Sequence, residues 1–169
     1  MNFTELAAER YSARSYSDRP VEQEKIDAVL HAAMLAPTAK NSQPQKIYVV
    51  LSEEKRKMLS ENCRCIFGAP VVFVLGYDTE RVARGIRREN DEFGETDVAI
   101  VCTHMMLKAT ELGLGSCCVG MFREEEIRAC LGIPGNVNIT LLLPVGYPDA
   151  GPSARHTEFR GSSEIVEYL

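Results

Sequence analysis

Ten residues, APTAKNSQPQ at positions 36–45, carry more hydrogen-bonding side chains than a connection needs. Thr38, Lys40, Asn41, Ser42, Gln43 and Gln45 crowd around Pro37 and Pro44. A plain connector is made with Gly or an Asn-Gly turn. Side-chain amides carry both donors and acceptors, so this loop suits a ligand whose edge presents both. Other chemistries are poorly served. No GxGxxG follows the first apolar run and no Walker sequence occurs, which disfavours Rossmann and P-loop sites. Cys63 and Cys65 have one residue between them, short of zinc-knuckle spacing, and His31, His104 and His156 are scattered, so no metal site is expected. His104 sits in an apolar helical run and reads as a satisfied core histidine. Cys117 and Cys118 are adjacent, so their side chains diverge; they read as packing residues rather than as a redox dithiol.

The elements that must position this loop alternate between helix and strand. A chain of 169 residues has the length of one domain, spanning 1–169. A net charge of −5 supplies no basic field, so neither nucleic acid nor an anionic membrane is an expected partner. No apolar run reaches the ~18 residues of a membrane span. The start, MNFTELAAERYSARSY, lacks the apolar core of a secretory signal, so a cytoplasmic protein with six free thiols is expected. NFTELAAERY reads as a short helix with Phe3, Leu6 and Ala7 on one side. From Glu22 a helical period puts Ile26, Val29, Leu30, Ala33 and Met34 on one stripe, ended by Pro37. KIYVVLS reads as a strand, EEKRKMLSENC as a helix, and APVVFVLGYD as a strand apolar throughout and therefore central. ETDVAIVCTHMMLKATELGLG is the longest helical run, apolar enough for burial or a subunit interface, with glycine at its stop. SCCVGMF reads as a short strand or extended turn, EEEIRACLGI as a helix and VNITLLLPVGYP as the last strand. The pattern predicts an α/β or α+β fold.

Three stretches become coherent together: ERYSARSYSDRPV, LAPTAKNSQPQKIYVV, and LGLGSCCVGMF followed by LLLPVGYP and a tail with Arg155 and Arg160. Their order and spacing resemble the nitroreductase family of FMN-dependent flavoproteins over nearly the whole chain. Arg-x-Ser-x-Arg, Ala-Pro-Thr-x-x-Asn-x-Gln-Pro and Leu-Gly-Leu-Gly-Ser-Cys are specific in combination. The resemblance implies an α+β, three-layer α-β-α sandwich, homodimeric with an exchanged C-terminal tail. It implies FMN as cofactor, and NADH or NADPH as co-substrate delivering hydride to flavin N5. A small-molecule acceptor such as a nitroaromatic or quinone would then be reduced by ping-pong turnover. The alternative is a flavin-binding or sensing module with little NAD(P)H turnover.

The same resemblance assigns residues. Arg10 and Ser12, with Tyr11 between them, match the family's phosphate site, and arginine's fork suits a phosphate dianion. Arg155 is the second phosphate arginine, with Arg160 as its rival. Arg14 corresponds to the cation beside the flavin pyrimidine edge, where reduction builds negative charge. Pro37, Thr38, Asn41 and Gln43 correspond to the flavin cradle, which in the family reaches the flavin of the other subunit. Val119, Gly120 and Met121 correspond to the segment along the isoalloxazine, where glycine permits close backbone approach. Catalysis needs no side-chain nucleophile; Arg14 and Gly120 support the flavin. Two positions depart from the family: Gln45 and Cys118 stand where aromatic residues are common. Arg81, Arg84 and Arg88 are read on one helical side, facing either an anionic substrate or solvent beside nearby glutamates.

Overall fold

The run Val71–Asp78 is buried at every position, which a strand achieves only when both of its faces are covered. In the computed structural model of the protein, which describes residues 1–86 and 91–169, this strand (β2) lies inside a four-stranded sheet. The others are β1 (Gln45–Val50), β3 (Gly115–Ser116) and β4 (Val137–Gly146), in the order β1-β2-β4-β3, with every pairing antiparallel. Gln45 pairs with Tyr77 and Val71 with Val145, with a register shift at Leu75 and Gly76.

Side chains alternate between the faces of a strand, and the two faces feed two separate cores. On one face Phe73, Leu75 and Leu143 pack with Ile26 and Val29 of α2 (Gln23–Met34) and with Val101 and Met105 of α4 (Gly94–Glu111). On the other, Val72, Val74 and Leu142 pack with Leu59 of α3 (Glu53–Asn62) and Ile127 of α5 (Glu124–Leu131). The result is an α-β-α sandwich. Truncating a core residue such as Phe73, which is 0% exposed, costs about 3–5 kcal/mol.

Several local signals act as read. The α4 helix stops where Gly113 takes φ +73°, a conformation glycine adopts without strain. SCCVGMF is both things at once, with β3 first and then a lone bridge from Val119 to Leu142.

Other elements differ. Met34 was expected on the buried stripe of α2, yet it is 75% exposed, because the helix ends there and the chain turns off at Leu35. Helix α1 (Phe3–Glu9) buries no residue in one chain and is held by a capping box between Asn2 and Glu5. Helix α4 buries one face only; Ala99 and Thr103 remain exposed, and Ile100, Met106 and Leu107 half-buried. The expected helical side of Arg81, Arg84 and Arg88 is corrected. Arg81 lies in a turn and Arg84 in an extended bridge to Glu92, held by the Gly85 N–H donating to the Asp91 carbonyl (2.8 Å), while Arg88 lies outside the described residues. The tail carries two short 3-10 turns, Ala154–Thr157 and Ser162–Glu164, and leaves Phe159, Ile165 and Tyr168 exposed. Among the described residues, no helix is long and apolar enough to cross a membrane.

Candidate functional site

Helix α1 stops at Arg10, whose backbone is extended, and the chain then runs along the sheet edge. Ser12 bridges to Ser116 of β3 in parallel, and the Ala13 N–H donates to the Ser116 carbonyl at 3.0 Å. Gly115 is required for this approach, since a Cβ there would fall 2.7 Å from the Ala13 Cβ. Ala13 is buried, so alternation leaves Ser12 half-buried and Arg14 exposed on the outer side. Below them the buried Tyr16 hydroxyl lies 3.0 Å from the Ala13 carbonyl and 3.2 Å from that of Pro144, tying the stretch to β4. Burial holds the Tyr16 hydroxyl far above the ordinary tyrosine range.

The C-terminal segment closes over this edge. The Tyr11 hydroxyl donates to the Ala150 carbonyl (2.8 Å), His156 Nε2 bonds the Ala8 carbonyl (2.8 Å), and the two rings meet edge to face at 6.2 Å. A cavity of about 260 Å³ results, lined by Arg10, Tyr11, Ser12, Arg14, Ser153, Arg155 and His156. Among the described residues, Arg10, Arg14 and Arg155 form no ion pair, and the buried Ser116 hydroxyl behind Ser12 has no partner. Arg160, the rival of Arg155, is instead paired with Glu164 at 3.4 Å. Three unneutralised guanidinium groups with two hydroxyls suit a phosphate dianion. Ser153 and His156 escaped the sequence reading because they become neighbours of Arg10 only when the tail folds back.

The amide loop lies elsewhere. Residues 39–41 form a 3-10 turn in which Lys40 has φ 54° and Asn41 φ 53°, followed by Gln43 at φ 46°. Left-handed conformations at non-glycine residues are costly and persist only where surroundings over-determine them. Here Thr38 Oγ1 accepts from the Gln43 N–H (3.1 Å), Asp97 Oδ1 from the Ala39 N–H (2.9 Å), and the Arg84 carbonyl from Lys40 Nζ (2.9 Å). Asp97 is 1% exposed in the first turn of α4, an anchor the sequence did not single out. Pro37, Asn41 and Gln43 are exposed, while Ser42 Oγ, Gln45 Oε1 and Asp97 Oδ2 are buried without partners among the described residues.

Thus the expected residues fall into two groups. The loop hangs on the N-terminal end of α4 and the arginines on the strand that follows its C-terminal end. Eighteen helical residues separate these ends by about 27 Å. The third segment joins the arginine group. Val119 exchanges two 2.9 Å hydrogen bonds with Leu142, and Met121 is 78% exposed. A Cβ at Gly120 would meet only Leu141 Cδ2, at 4.0 Å, so nothing in this chain demands glycine there and the space above it is open. His104 is occupied, with Nδ1 3.0 Å from the Ile100 carbonyl of its own helix. A second cavity, of about 500 Å³, reaches Ser17, Asp18 and Pro20 but none of the expected site residues; its Arg56 is spent on the Leu51 and Ala69 carbonyls and its other charges are Asp18 and Glu53, which makes a poor anion site.

Comparison with known proteins converges on one family. The model of the nitroreductase family matches residues 7–67 and 60–147. A relative from Archaeoglobus fulgidus, provisionally named NADH dehydrogenase/NAD(P)H nitroreductase, is 33% identical over 146 residues, covering 82% of this chain and 81% of that one. An FMN reductase [NAD(P)H] from Bacillus subtilis is 29% identical over 154 residues, covering 81% and 62% of the two chains. The crystal structure of a nitroreductase family protein from Clostridium difficile 630 superposes with a TM-score of 0.93 at 39% identity, over 99% of this chain and 98% of that one.

Proposed function

The chain belongs to the nitroreductase family, and on that premise we propose that it is an NAD(P)H-dependent oxidoreductase that holds FMN and reduces a small-molecule acceptor such as a nitroaromatic or quinone. The observation that carries this reading is the cluster of Arg10, Arg14 and Arg155 around Ser12 and Ser153, with no counter-anion among the described residues. The chemistry FMN supplies when bound is two-electron transfer from NAD(P)H to the acceptor in alternating half-reactions. Everything else falls to the chain. Arg10 and Arg155 take the phosphate with Ser12, and Tyr11 holds the tail in position through Ala150. Arg14 keeps a cation at the pyrimidine edge. Val119 fixes the sheet edge, so that Gly120 and Met121 present backbone N–H groups to the ring with no side chain intervening at Gly120.

Thr38, Asn41 and Gln43, braced by Pro37, serve the flavin of a second chain. Their distance from the arginines along α4 supports a homodimer with shared sites. So do the exposed α1 face and the unpaired outer edge of β1, which an exchanged tail carrying Ile165 and Tyr168 would cover. The protein is one domain over residues 1–169 and works in the cytoplasm, where its six free cysteines stay reduced.

Anaerobic addition of NADH or NADPH to the flavin-loaded protein should bleach its yellow colour, and a panel of acceptors should restore it. A loaded protein that neither nicotinamide bleaches would instead be a flavin-binding or sensing module. A flavin-loaded monomer at micromolar concentration in light scattering would refute the shared site.

A further inference from the structure

Residues 119–122 are held at both ends and open between them. At one end Val119 exchanges its two hydrogen bonds with Leu142. A trans peptide sets its N–H opposite its C=O, so the Val119 carbonyl, turned to Leu142, turns the Gly120 N–H away from β4. At the other end Phe122 packs against the core beneath α3 and α5, and Cys63 Sγ donates to the Met121 carbonyl at 3.4 Å. Among the described residues, the peptide joining Gly120 to Met121 makes no hydrogen bond through its N–H or its C=O, and both residues are exposed. Glycine offers little resistance to rotation of that peptide, so its direction depends on the anchors at either end. Cys63 is itself firmly held. It ends α3, its N–H donating to the Leu59 carbonyl at 2.7 Å, and it is 3% exposed in the core that also takes Val119. Burial raises the Cys63 thiol above its ordinary range, which keeps on sulfur the proton that the contact uses.

We propose that Cys63 is the positioning residue of this segment: through the Met121 carbonyl it fixes the Gly120–Met121 peptide with the Met121 N–H aimed at the flavin ring. The proposal rests on the reading that residues 119–121 lie along that ring. Cys63 touches neither flavin nor substrate and acts only through the backbone. A thiol suits the task, since it supplies one donor without bringing a charge into the core. Where the donor is lost, the Val119 anchor survives and the peptide beyond it is free to turn. The ring then loses an aligned N–H, while the phosphate end of the ligand, held at the arginines, is undisturbed.

Nuclear magnetic resonance on the flavin-free protein reads the peptide directly. In the parent the Met121 amide should show no microsecond-to-millisecond exchange by relaxation dispersion. Exchange there overturns the proposal even if no variant folds. Cys63→Ala should switch on exchange at Gly120, Met121 and Phe122 and leave Val119 quiet, because its bonds to Leu142 remain. Loaded with FMN, the same variant should be bleached about three- to tenfold more slowly than the parent by NADH or NADPH under anaerobic conditions, the worth of one hydrogen bond. Its preference for FMN over riboflavin should not change. Cys63→Ser keeps a donor and should fall between parent and Cys63→Ala in both measurements. A serine variant no better than alanine overturns the proposal. The two readings fail in different ways. If FMN shifts neither the Gly120 nor the Met121 amide resonance of the parent, the flavin reading of this segment falls and the proposal with it. If FMN shifts them and Cys63→Ala still behaves as the parent, the proposal alone falls.

Discussion

The arginine edge and the amide loop serve the same ligand in this family reading, yet they are built in opposite ways. At the edge, Arg10, Ser12 and Arg14 ride on an extended stretch fixed by Ser116, Tyr16 and the returning tail, and its backbone is unstrained. The loop holds three non-glycine residues at positive φ and is tethered through single bonds to Asp97 and Arg84. The edge is assembled within one chain and asks only for an anion. The loop is sprung, and among the described residues the amides it presents meet nothing beyond a long 3.5 Å contact from Gln43 to the Asn41 carbonyl. Strain of this kind is kept where it positions something.

The difference can be broken from either end, and the largest effect belongs to the edge. FMN should bind more tightly than riboflavin by about 3–6 kcal/mol, the worth of two charge-assisted hydrogen bonds. Replacing Arg10 and Arg155 together by Ala should erase that preference in calorimetry; equal affinities in the parent protein would remove the phosphate reading altogether. Arg14→Met sharpens the roles within the edge. It should leave FMN bound but cost the reduced state about 1–3 kcal/mol, lowering a two-electron potential by roughly 20–65 mV. Spectroelectrochemical titration with flavin content measured alongside reads this. Lost FMN with an unchanged potential in the remainder would move Arg14 to the phosphate.

Effects at the loop should be smaller and blind to the phosphate. Asp97→Ala frees the Ala39 N–H, so both FMN and riboflavin should weaken alike, by about 1–2 kcal/mol, while amide exchange at Ala39 accelerates. A selective loss of FMN would contradict the separation of the two groups. Lys40→Gly should relieve the left-handed strain and stabilise the protein by about 0.5–1 kcal/mol, seen as a rise in urea midpoint. A fall would mean that the Lys40 bond to Arg84 outweighs the strain.

Much of this was legible beforehand. The apolar run around Phe73 announced a central strand, Gly113 a helix stop, and the combined motifs the nitroreductase family. What stayed hidden shares one cause. Ser153 and His156 approach Arg10 from the far end of the chain, and Asp97 reaches Ala39 from another helix. Propensity and periodicity report on a chain's own neighbours, and none of these pairs are neighbours in sequence. The misread helical side at Arg81 and Arg84 has a related origin, since a bridge to Glu92 overrode a local spacing.

The sequence by itself determined the order of elements, the two-sided burial of β2 and the chemical types gathered in each motif, because these follow from hydrophobic pattern, turn chemistry and composition. Only the tertiary structure decided which charges stand unneutralised together, that Arg155 rather than Arg160 lines the cavity, and that the amide loop lies a helix length from the arginines. Those depend on distances between segments remote in sequence, which are set by how helices and strands stack and not by what any one segment prefers.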